Sequence, residues 1–455
     1  MNRRTVLQTL AGGAAAPAMW PQGRRKPNFI VVLLDDLGCT DLGCYGAPDM
    51  KTRNIDALAA SGTRFTNWYS NAPVCAPARA TLMTGRYPAR AGVPTNGPPL
   101  TERQLTMAAL LKSAEYHTGL IGKWHLGSRN YGTPSDRGFD YFYGFHPGCV
   151  DFYSHRFYWG DPKVPNYHDL FRNRTEIFED GQYLTDRLNE EAVRFVRRNA
   201  QRPFFLYLAY NAPHYPMHAP KKYLDRFSGL DPERQVYAAM VSAVDDGIGM
   251  VSEELRRNGL LEDTCIFFLG DNGATTEPRA GLDAKPATAG KNGPYRGYKF
   301  SLFDGGMHVP GMISWPARVP AGKTVREVVM TMDVLPTVTG AASIHVPDGH
   351  VIDGRDILTV TTSAPSPHEA IFWAQGEQLA VRRGKWKLVV NGFTAENWPE
   401  GRKPLEGEDS MFLSDLEADP GESKNLRRSN PQLVDELATL AHRWKTEMDR
   451  TQAAH

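Results

Sequence analysis

Residues 29–36 read Phe-Ile-Val-Val-Leu-Leu-Asp-Asp, six apolar residues followed at once by two carboxylates. An unbroken apolar run rich in β-branched residues is typical of a strand that is buried on both faces, as strands of parallel sheets are. The run ends abruptly at Asp35 and Asp36. The sequence therefore predicts a parallel sheet with these two carboxylates at the carboxyl end of its first strand.

Similar apolar runs recur along the chain and alternate with helical patterns. Strands are predicted at residues 118–121, 204–210, 264–269 and 310–314. Helices are predicted at residues 54–60, 105–114, 183–198 and 235–257, and Thr101 is expected to open the second of them. This order predicts the α/β class, with a large mixed, mostly parallel sheet flanked by helices.

A second, smaller domain is predicted after a segment rich in Pro, Ser and Thr at residues 341–367. Short strands are predicted at residues 370–374, 378–383 and 385–390. An apolar stripe at helical spacing predicts a C-terminal helix packed on a core; it consists of Leu433, Leu437, Leu440, Trp444 and Met448. We expect a larger domain at residues 27–345 and a C-terminal subdomain of antiparallel sheet plus helix at residues 368–455.

The composition excludes two broad classes of protein. The 455 residues carry 52 Lys+Arg against 51 Asp+Glu, a net charge of +1, which argues against a polybasic nucleic-acid-binding protein. Hydrophobic residues make up 41% and charged residues 23%, which is too apolar for a disordered chain. We expect a folded protein that binds no nucleic acid.

The first twenty residues read as an export signal of the twin-arginine type. Arg3 and Arg4 precede a weakly apolar stretch rich in Ala and Gly, and Ala16-Pro17-Ala18 has the form of a cleavage site. The alternative is a terminus whose arginines have no role. No later run approaches the ~20 apolar residues that a membrane span needs. We expect a bacterial protein exported to the periplasm or the exterior, with no stable membrane span.

The chain has five cysteines, and an odd count in an exported protein leaves at least one thiol outside any set of intramolecular disulfides. Cys75 stands apart by its sequence context. The other four are either small core residues or members of up to two disulfides that the sequence cannot pair; they are Cys39, Cys44, Cys149 and Cys265.

Polar side chains follow four of the predicted strands: Asp35 and Asp36, Lys123 and His125, His214, and Asp271 and Asn272. Because α/β proteins bind ligands beyond the carboxyl ends of their parallel strands, we expect these side chains to meet. The Asp and Asn oxygens suit a hard cation, Ca²⁺ or Mg²⁺ rather than zinc. Taken singly, each Asp would more simply cap a helix or a turn.

Residues 75–86 read Cys-Ala-Pro-Ala-Arg-Ala-Thr-Leu-Met-Thr-Gly-Arg. Pro77 near a first helical turn, with Arg79 and Leu82 at helical spacing, places Cys75 at or just before a helix N-terminus. Helix N-termini attract anions. In isolation such a cysteine is either a thiol of low pKa or a small buried residue.

This motif, Cys-x-Pro-x-Arg followed by Leu-x-Thr-Gly-Arg, resembles the signature of the type I sulfatases of the alkaline phosphatase superfamily, in which an enzyme converts the cysteine to formylglycine. The resemblance covers nearly the whole chain, through residues 122–127, 271–273 and 305–310 to residues 412–422. Along residues 292–299 it is similar to the arylsulfatase and N-acetylgalactosamine-6-sulfatase branch.

The resemblance implies a role for each residue of the site. One Ca²⁺ would be held by Asp35, Asp36, Asp271, Asn272 and an oxygen of Cys75 after its conversion to 3-oxoalanine (formylglycine). The cations would be Arg79, which orients the modified residue, and Lys123 and Lys299, which hold sulfate oxygens. His125 would act on the formylglycine hydroxyl, and His214 would donate a proton to the departing alcohol.

Two positions depart from the family pattern. Ala78 stands where Ser is most frequent, which the looser Cys-x-Pro-x-Arg requirement tolerates, and Asp304 replaces the more usual Glu before Gly305-Gly306. Neither position has a catalytic role in the family pattern.

The resemblance implies a sulfuric ester hydrolase that removes sulfate from a sulfated carbohydrate. The candidate substrates are glycosaminoglycan-type or other sulfated polysaccharide fragments, N-acetylgalactosamine-6-sulfate among them, with aryl sulfates as artificial substrates. A formylglycine-generating enzyme would be the partner in maturation. Two alternatives stay open: a phosphodiesterase or phosphonate hydrolase of the same superfamily, and a non-catalytic binder of sulfated glycans whose Cys75 remains a thiol.

Residues 144–174 are dense in Tyr, Phe, Trp and His. Aromatic faces stack on sugar rings, so this segment is a candidate wall of the sugar site. The same aromatic residues would also be expected if the segment simply packs internally.

Overall fold

The computed structural model describes residues 25–157, 163–282 and 285–453. The predicted export signal at residues 1–20 lies outside these ranges and stays a prediction. Among the helices in the described part of the chain, none is both long enough and apolar enough to cross a bilayer.

The first part of the chain alternates strands and helices. In order they are β1 (Asn28–Leu34), α1 (Arg53–Ala60), β2 (Thr63–Phe65), β3 (Trp68–Tyr69), α2 (Cys75–Thr84), α3 (Met107–Ser113), β4 (His117–Lys123), β5 (Tyr141–Phe145), β6 (Phe171–Arg172), β7 (Thr175–Glu176), α4 (Leu184–Arg198), β8 (Phe204–Ala209), α5 (Lys221–Leu224), α6 (Pro232–Arg257) and β9 (Thr264–Gly270).

The second part carries shorter elements and a long terminal helix. In order they are α7 (Asp304–Met307), β10 (Gly311–Ser314), β11 (Lys323–Val325), β12 (Val329–Met330), α8 (Val334–Ala341), β13 (Ile371–Gln375), β14 (Gln378–Arg383), β15 (Trp386–Val390), β16 (Met411–Asp415) and α9 (Pro431–Ala453).

Ten strands form one large sheet in the order β11-β2-β10-β9-β1-β8-β4-β5-β6-β7. The central strands β9, β1, β8, β4 and β5 are parallel. Strand β10 runs antiparallel to both β9 and β2, and β6 runs antiparallel to β5 and β7. The predicted large mixed, mostly parallel sheet is confirmed.

Strand β1 is buried on both faces, as its apolar run predicts. The even-numbered side chains from Ile30 to Leu34 belong to a core with residues of α1, α4 and α6. The odd-numbered side chains from Phe29 to Leu33 belong to a second core with residues of α2, α3 and α8. Since successive side chains of a strand point to opposite faces, the sheet lies between two helical layers.

The four strands β13 to β16 form a separate antiparallel sheet in chain order. One face packs on α9, where Leu388 and Leu437 share a core. The opposite face packs on the larger part of the protein, with Trp373 and Phe303 in one cluster. The predicted small antiparallel sheet with a C-terminal helix is confirmed, while the exact domain boundaries stay a prediction.

Two predicted helix starts were wrong, and capping explains both differences. Helix α3 begins at Met107, two residues after the predicted start at 105, because Thr106 rather than Thr101 caps it: the Thr106 side chain accepts a hydrogen bond from Ala109 N at 3.0 Å. Helix α6 begins at Pro232, three residues before the predicted start, because Asp231 caps it and proline fits a first helical turn.

All five cysteines are free thiols. Four of them are buried and Cys44 is partly buried. Of the two alternatives for the cysteines other than Cys75, the structure therefore favours small packing residues over disulfides.

A buried ionic group around Lys387 of β15 joins the small sheet to α7. The Lys387 ammonium lies 2.6 Å from Asp304 Oδ1 and 3.2 Å from Glu422 Oε1. These side chains are 0–2% exposed. Asp304, the position that departs from the family pattern, is therefore a partner of the C-terminal sheet.

We expect Lys387→Met to lower the free energy of unfolding by about 3–5 kcal/mol, because Asp304 and Glu422 would stay buried without their cation. Denaturant and thermal unfolding measure the loss. Lys385→Met is the control, because Lys385 is 41% exposed where it pairs with Asp415, and an ion pair of an exposed lysine contributes little to stability. Equal losses in the two variants would contradict the expectation.

Candidate active site

Neighbouring strands of the large sheet carry most of the predicted site residues at their carboxyl ends. Asp35 and Asp36 follow β1, Asp271 follows β9, His214 lies in the loop after β8, and Lys123 ends β4. The order β9-β1-β8-β4 is continuous and these strands are parallel, so their carboxyl ends share one edge. The predicted meeting of strand ends is observed.

Cys75 is the first residue of α2 and is 2% exposed. Its Sγ and one ligand atom each of Asp35, Asp36 and His214 all lie within 4.8 Å of one another. Burial raises the pKa of the Cys75 thiol well above its usual value. The helix start therefore places Cys75 directly against the strand ends, where the N-terminal partial charge of α2 favours anions.

Three buried cations surround the carboxylates. Their hydrogen-bonded pairs are Arg79 with Asp271 at 2.8 Å, Lys299 with Asp36 at 2.9 Å, and Lys123 with Asp35. Arg79 and Lys123 are 0% exposed and Lys299 is 3% exposed. Because solvent hardly screens these charges, their attraction for an anion in the cleft is strong.

The carboxylates of Asp35, Asp36 and Asp271 form one buried group. Asp36 N–H donates to Asp271 Oδ1 at 3.1 Å, and Asn272 Nδ2 donates to Asp36 Oδ1 at 2.7 Å. Burial raises the pKa of Asp36, and burial together with Asp35 raises the pKa of Asp271 to about 7. Burial acts the same way on Asp35, but Lys123 and the other cations outweigh it and hold the pKa of Asp35 well below its usual range.

Two buried oxygens test whether this group fits a cation. Asp35 Oδ1 and Asn272 Oδ1 are buried and accept no hydrogen bond from any residue within the described ranges. A buried oxygen without a donor is costly, and a hard cation is a suitable partner for a carboxylate or an amide oxygen. A cation would also reduce the repulsion that raises the pKa of Asp271. The residues therefore fit Ca²⁺ or Mg²⁺.

The four residues whose ligand atoms lie within 4.8 Å of one another, here called the close group, are not the predicted ligand set. His214 lies in it, whereas Asp271 does not. The two oxygens of Asp271 are already engaged, one by Asp36 N–H and the other by the Arg79 guanidinium. A ligand role for Asp271 stays a prediction.

His125 and His214 line the same cleft as Cys75. His214 Nδ1 lies 2.8 Å from the carbonyl oxygen of Tyr215, and since a carbonyl only accepts, Nδ1 carries the proton. His214 Nε2 then faces Lys299 Nζ at 3.4 Å. Burial lowers the pKa of both imidazoles well below the usual value, and nearby lysines add to the shift. Both histidines are therefore neutral when no anion is bound.

The cleft has a volume of about 450 Å³. Besides the predicted residues, its walls contain Asn96, Tyr215, Glu277, Arg279, Phe300, Trp398 and Arg402. The sequence reasoning missed these residues because they lie in loops without a periodic pattern or a recognised motif. The aromatic segment 144–174 contributes Gly148, Cys149 and Phe157 to the walls, as predicted for part of it.

The geometry of this cleft agrees with the comparison of the whole sequence with known protein families. A sequence model of the sulfatase family matches residues 27–344, which contain Cys75 and its charged neighbours. The chain belongs to the sulfatase family. This sulfatase is 34% identical to N-acetylgalactosamine-6-sulfatase of Canis lupus familiaris over 428 residues, which cover 89% of this chain and 78% of the relative.

Two further comparisons place the sulfatase among known enzymes and structures. Arylsulfatase J of Mus musculus is 30% identical, with 91% of this chain and 80% of the relative covered. A crystal structure of Ps i-CgsB in complex with k-i-k-neocarrahexaose has a TM-score of 0.80 and 32% identity, and covers 92% of this chain and 93% of that one. The protein is thus a sulfuric ester hydrolase of the alkaline phosphatase superfamily.

Proposed function

We propose that this sulfatase removes sulfate from sulfated carbohydrates through formylglycine at position 75 and one bound Ca²⁺. The observation that carries the proposal is the position of Cys75, whose sulfur lies within 4.8 Å of ligand atoms of Asp35 and Asp36 and opens on a cleft containing His125 and Lys299. A nucleophile, a cation site and anion-binding groups thus share one cleft.

The substrate class is proposed from the relatives and from the cleft. One relative is named for N-acetylgalactosamine-6-sulfate and one solved structure holds neocarrahexaose. The cleft walls combine aromatic rings with cations, as expected for a sulfated sugar ring. We propose glycosaminoglycan-type or other sulfated polysaccharide fragments, with N-acetylgalactosamine-6-sulfate as a candidate.

The cations neutralise the substrate. Bound Ca²⁺ would supply Lewis-acid stabilisation of a sulfate oxygen and of the nucleophilic oxygen at position 75. Lys299 and Lys123 are placed to hold the remaining sulfate oxygens, since each ends beside a metal-binding carboxylate. Arg79 holds the Asp271 carboxylate and lies beneath position 75 on the same helix, which fits a positioning role.

Formylglycine suits the chemistry because its hydrate has two hydroxyls, one to attack sulfur and one to expel sulfate. His125 lines the cleft beside position 75, and its buried Nδ1 has no hydrogen-bond partner in the structure. The low pKa of His125 keeps it neutral and therefore able to accept a proton. We assign His125 the removal of the proton from the second hydroxyl, the step in which sulfate leaves and the aldehyde is restored.

His214 is assigned proton donation to the departing alcohol. Burial and Lys299 lower its pKa in the free enzyme, and the negative charge of a bound sulfate ester acts in the opposite direction. The negative charge of Asp35 raises the pKa of His214 and also favours the protonated form. The substrate therefore helps to protonate its own general acid.

We expect His214→Gln to lower kcat by about 10²–10⁴-fold on a sugar sulfate and much less on an aryl sulfate, because a phenolate departs without a proton. Steady-state kinetics on both substrates measures the difference. His218→Gln is the control, since the His218 side chain is 40% exposed and pairs with Asp151. Equal losses on both substrates would remove His214 from the acid role.

Sulfate release tests the proposed function as a whole. Protein co-expressed with a formylglycine-generating enzyme is incubated with para-nitrophenyl sulfate, N-acetylgalactosamine-6-sulfate and sulfated oligosaccharides, and free sulfate is measured by ion chromatography. We expect release from the sulfate esters and slower cleavage of aryl phosphodiesters and phosphonates. Preferential phosphodiester cleavage would favour the phosphodiesterase alternative, and binding without hydrolysis would favour the glycan-binding alternative.

Maturation and export are part of the proposal. Cys75 is 2% exposed in the fold, so a formylglycine-generating enzyme would need to reach it before folding is complete. We propose that residues 1–20 then direct the protein out of the cytoplasm. N-terminal sequencing of protein recovered from the periplasm would show a start after Ala18 if the predicted cleavage site is used.

A further inference from the structure

We propose that Phe300, Trp398 and Arg402, here called the rim, bind a second sugar residue that carries its own anionic group. This inference rests on the proposed function and extends it. The anion would be a carboxylate or a sulfate on the residue adjacent to the sugar whose sulfate lies at position 75. The favoured substrate is then an oligosaccharide with two neighbouring anionic groups rather than an isolated sulfated monosaccharide.

The rim lines the same cleft as Cys75 and His214. Phe300 directly follows Lys299 in the chain and is partly exposed, whereas Arg402 is exposed. Cys75 is only 2% exposed. The rim therefore lies on the open side of the cleft, where the part of a substrate beyond the sulfated residue must pass.

The rim is a stacked group of two rings and one guanidinium. The rings of Phe300 and Trp398 lie 5.4 Å apart at 45°. The Arg402 guanidinium lies 4.9 Å from the Phe300 ring centre and 4.7 Å from that of Trp398. Stacking holds the planar guanidinium while leaving its N–H groups available for a carboxylate or a sulfate.

The charge of Arg402 is available for a ligand. In the described part of the chain its guanidinium makes no ion pair, although exposed carboxylates lie nearby in sequence at Glu396 and Glu400. The other cleft cations differ, because Arg279 pairs with Glu277 and Lys299 pairs with Asp36. Arg402 is thus the cleft cation that a second substrate anion could reach without displacing a protein carboxylate.

The rim is built into the fold. Phe300 has φ of 81°, a conformation that is strained for a bulky residue, and it is fixed by Phe300 N–H donating to Pro73 O at 2.8 Å. Gln378 of β14 donates to Phe300 O at 2.9 Å, and its Oε1 accepts from Phe393 N at 3.4 Å. The small sheet therefore holds the backbone at Phe300, and little ordering of this residue is needed when a sugar binds.

The test measures binding in a Cys75→Ala background, in which oligosaccharides are not turned over. Two probes are titrated calorimetrically: a chondroitin 6-sulfate tetrasaccharide, whose neighbouring residues are uronic acids, and a carrageenan tetrasaccharide, whose neighbouring anions are sulfates. N-acetylgalactosamine-6-sulfate is the monosaccharide reference. The two tetrasaccharides distinguish a carboxylate from a sulfate as the second anion.

We expect Arg402→Met to weaken binding of at least one tetrasaccharide by about 10-fold or more, while the ratio of tetrasaccharide to monosaccharide affinity falls to near one. Methionine keeps an apolar stem against the rings and removes the charge together with the N–H donors of the guanidinium. Trp398→Ala should weaken both tetrasaccharides. Lys403→Ala is the matched control, because Lys403 is an exposed neighbour outside the cleft wall.

Unchanged tetrasaccharide affinity in Arg402→Met would overturn the inference, and so would a parent protein that binds neither tetrasaccharide more tightly than the monosaccharide. Sulfate release from para-nitrophenyl sulfate by matured wild-type protein is measured in parallel. If the wild type releases sulfate but Arg402→Met leaves tetrasaccharide affinity unchanged, the rim is rejected as a sugar-binding site and the proposed function stands. No release from any sulfate ester rejects the proposed function itself.

Discussion

Cys75→Ala is expected to abolish turnover of sulfate esters, with kcat at least about 10⁴-fold below that of the matured wild type, as for removal of other enzymatic nucleophiles. The other proposed Ca²⁺ ligands and the charged walls would remain, so the variant should still bind sulfated ligands. Kinetics on para-nitrophenyl sulfate and calorimetry on a sulfated oligosaccharide measure the two properties separately.

Cys265→Ala is the control for this experiment, because Cys265 is a buried thiol in β9 outside the cleft. We expect it to retain turnover. A Cys75→Ala protein that keeps a substantial fraction of wild-type kcat would mean that another group is the nucleophile, and the proposed chemistry at position 75 would be wrong.

Asp35→Asn is expected to weaken Ca²⁺ binding by about 100-fold or more and to lower kcat at any fixed, subsaturating Ca²⁺ concentration. Asp35 is 0% exposed, and its Oδ1 accepts no hydrogen bond from the described residues, although the Arg79 guanidinium lies 3.4 Å away. The substitution removes the negative charge that a cation would meet there and leaves Lys123 without its partner carboxylate.

The measurement is a Ca²⁺ titration of chelator-treated protein, followed by both thermal unfolding and sulfate release. Asp225→Asn is the control, since the Asp225 side chain is 61% exposed and pairs only with Lys221. Wild-type protein whose melting temperature and activity do not respond to Ca²⁺ after chelation would contradict the assignment of the cation.

The fold was largely predictable because its central strands are continuous apolar runs. Phe29 to Leu34 alternate between two buried faces, and a short apolar run rich in β-branched residues favours such a strand. The direction of β10 was not predictable, since a short apolar run has the same composition in parallel and antiparallel pairs. Helix starts depended on caps at Thr106 and Asp231, where side-chain geometry decides between neighbouring polar residues.

Some residues of the site were predictable from the sequence and others were not. Asp35, Asp36 and Asp271 were predictable from their places after parallel strands, because the fold class fixes where such residues meet. Lys299 lies in a loop and was found only through the family motif. Trp398 and Arg402 lie in the connection between β15 and β16, and neither spacing nor motif connects them to Cys75 in the sequence.

The presence of His214 in the close group also depends on the tertiary structure and could not be predicted from the sequence. The sequence gives oxygen-bearing residues as the natural metal ligands, and it does not indicate that the carboxylate of Asp271 is engaged by Arg79 and by Asp36 N–H. Such second partners depend on contacts between residues far apart in the chain. These contacts decide which side chains face the cleft and which side chains position them.

Peptide mass spectrometry of the fragment that contains Cys75 tests the central claim most directly. The protein should come from its native host or from co-expression with a formylglycine-generating enzyme, and the peptide is compared with one from a Cys75→Ala variant. We predict the mass of an aldehyde in place of the thiol at position 75. An unmodified thiol at position 75 in protein that still hydrolyses sulfate esters would contradict the formylglycine mechanism.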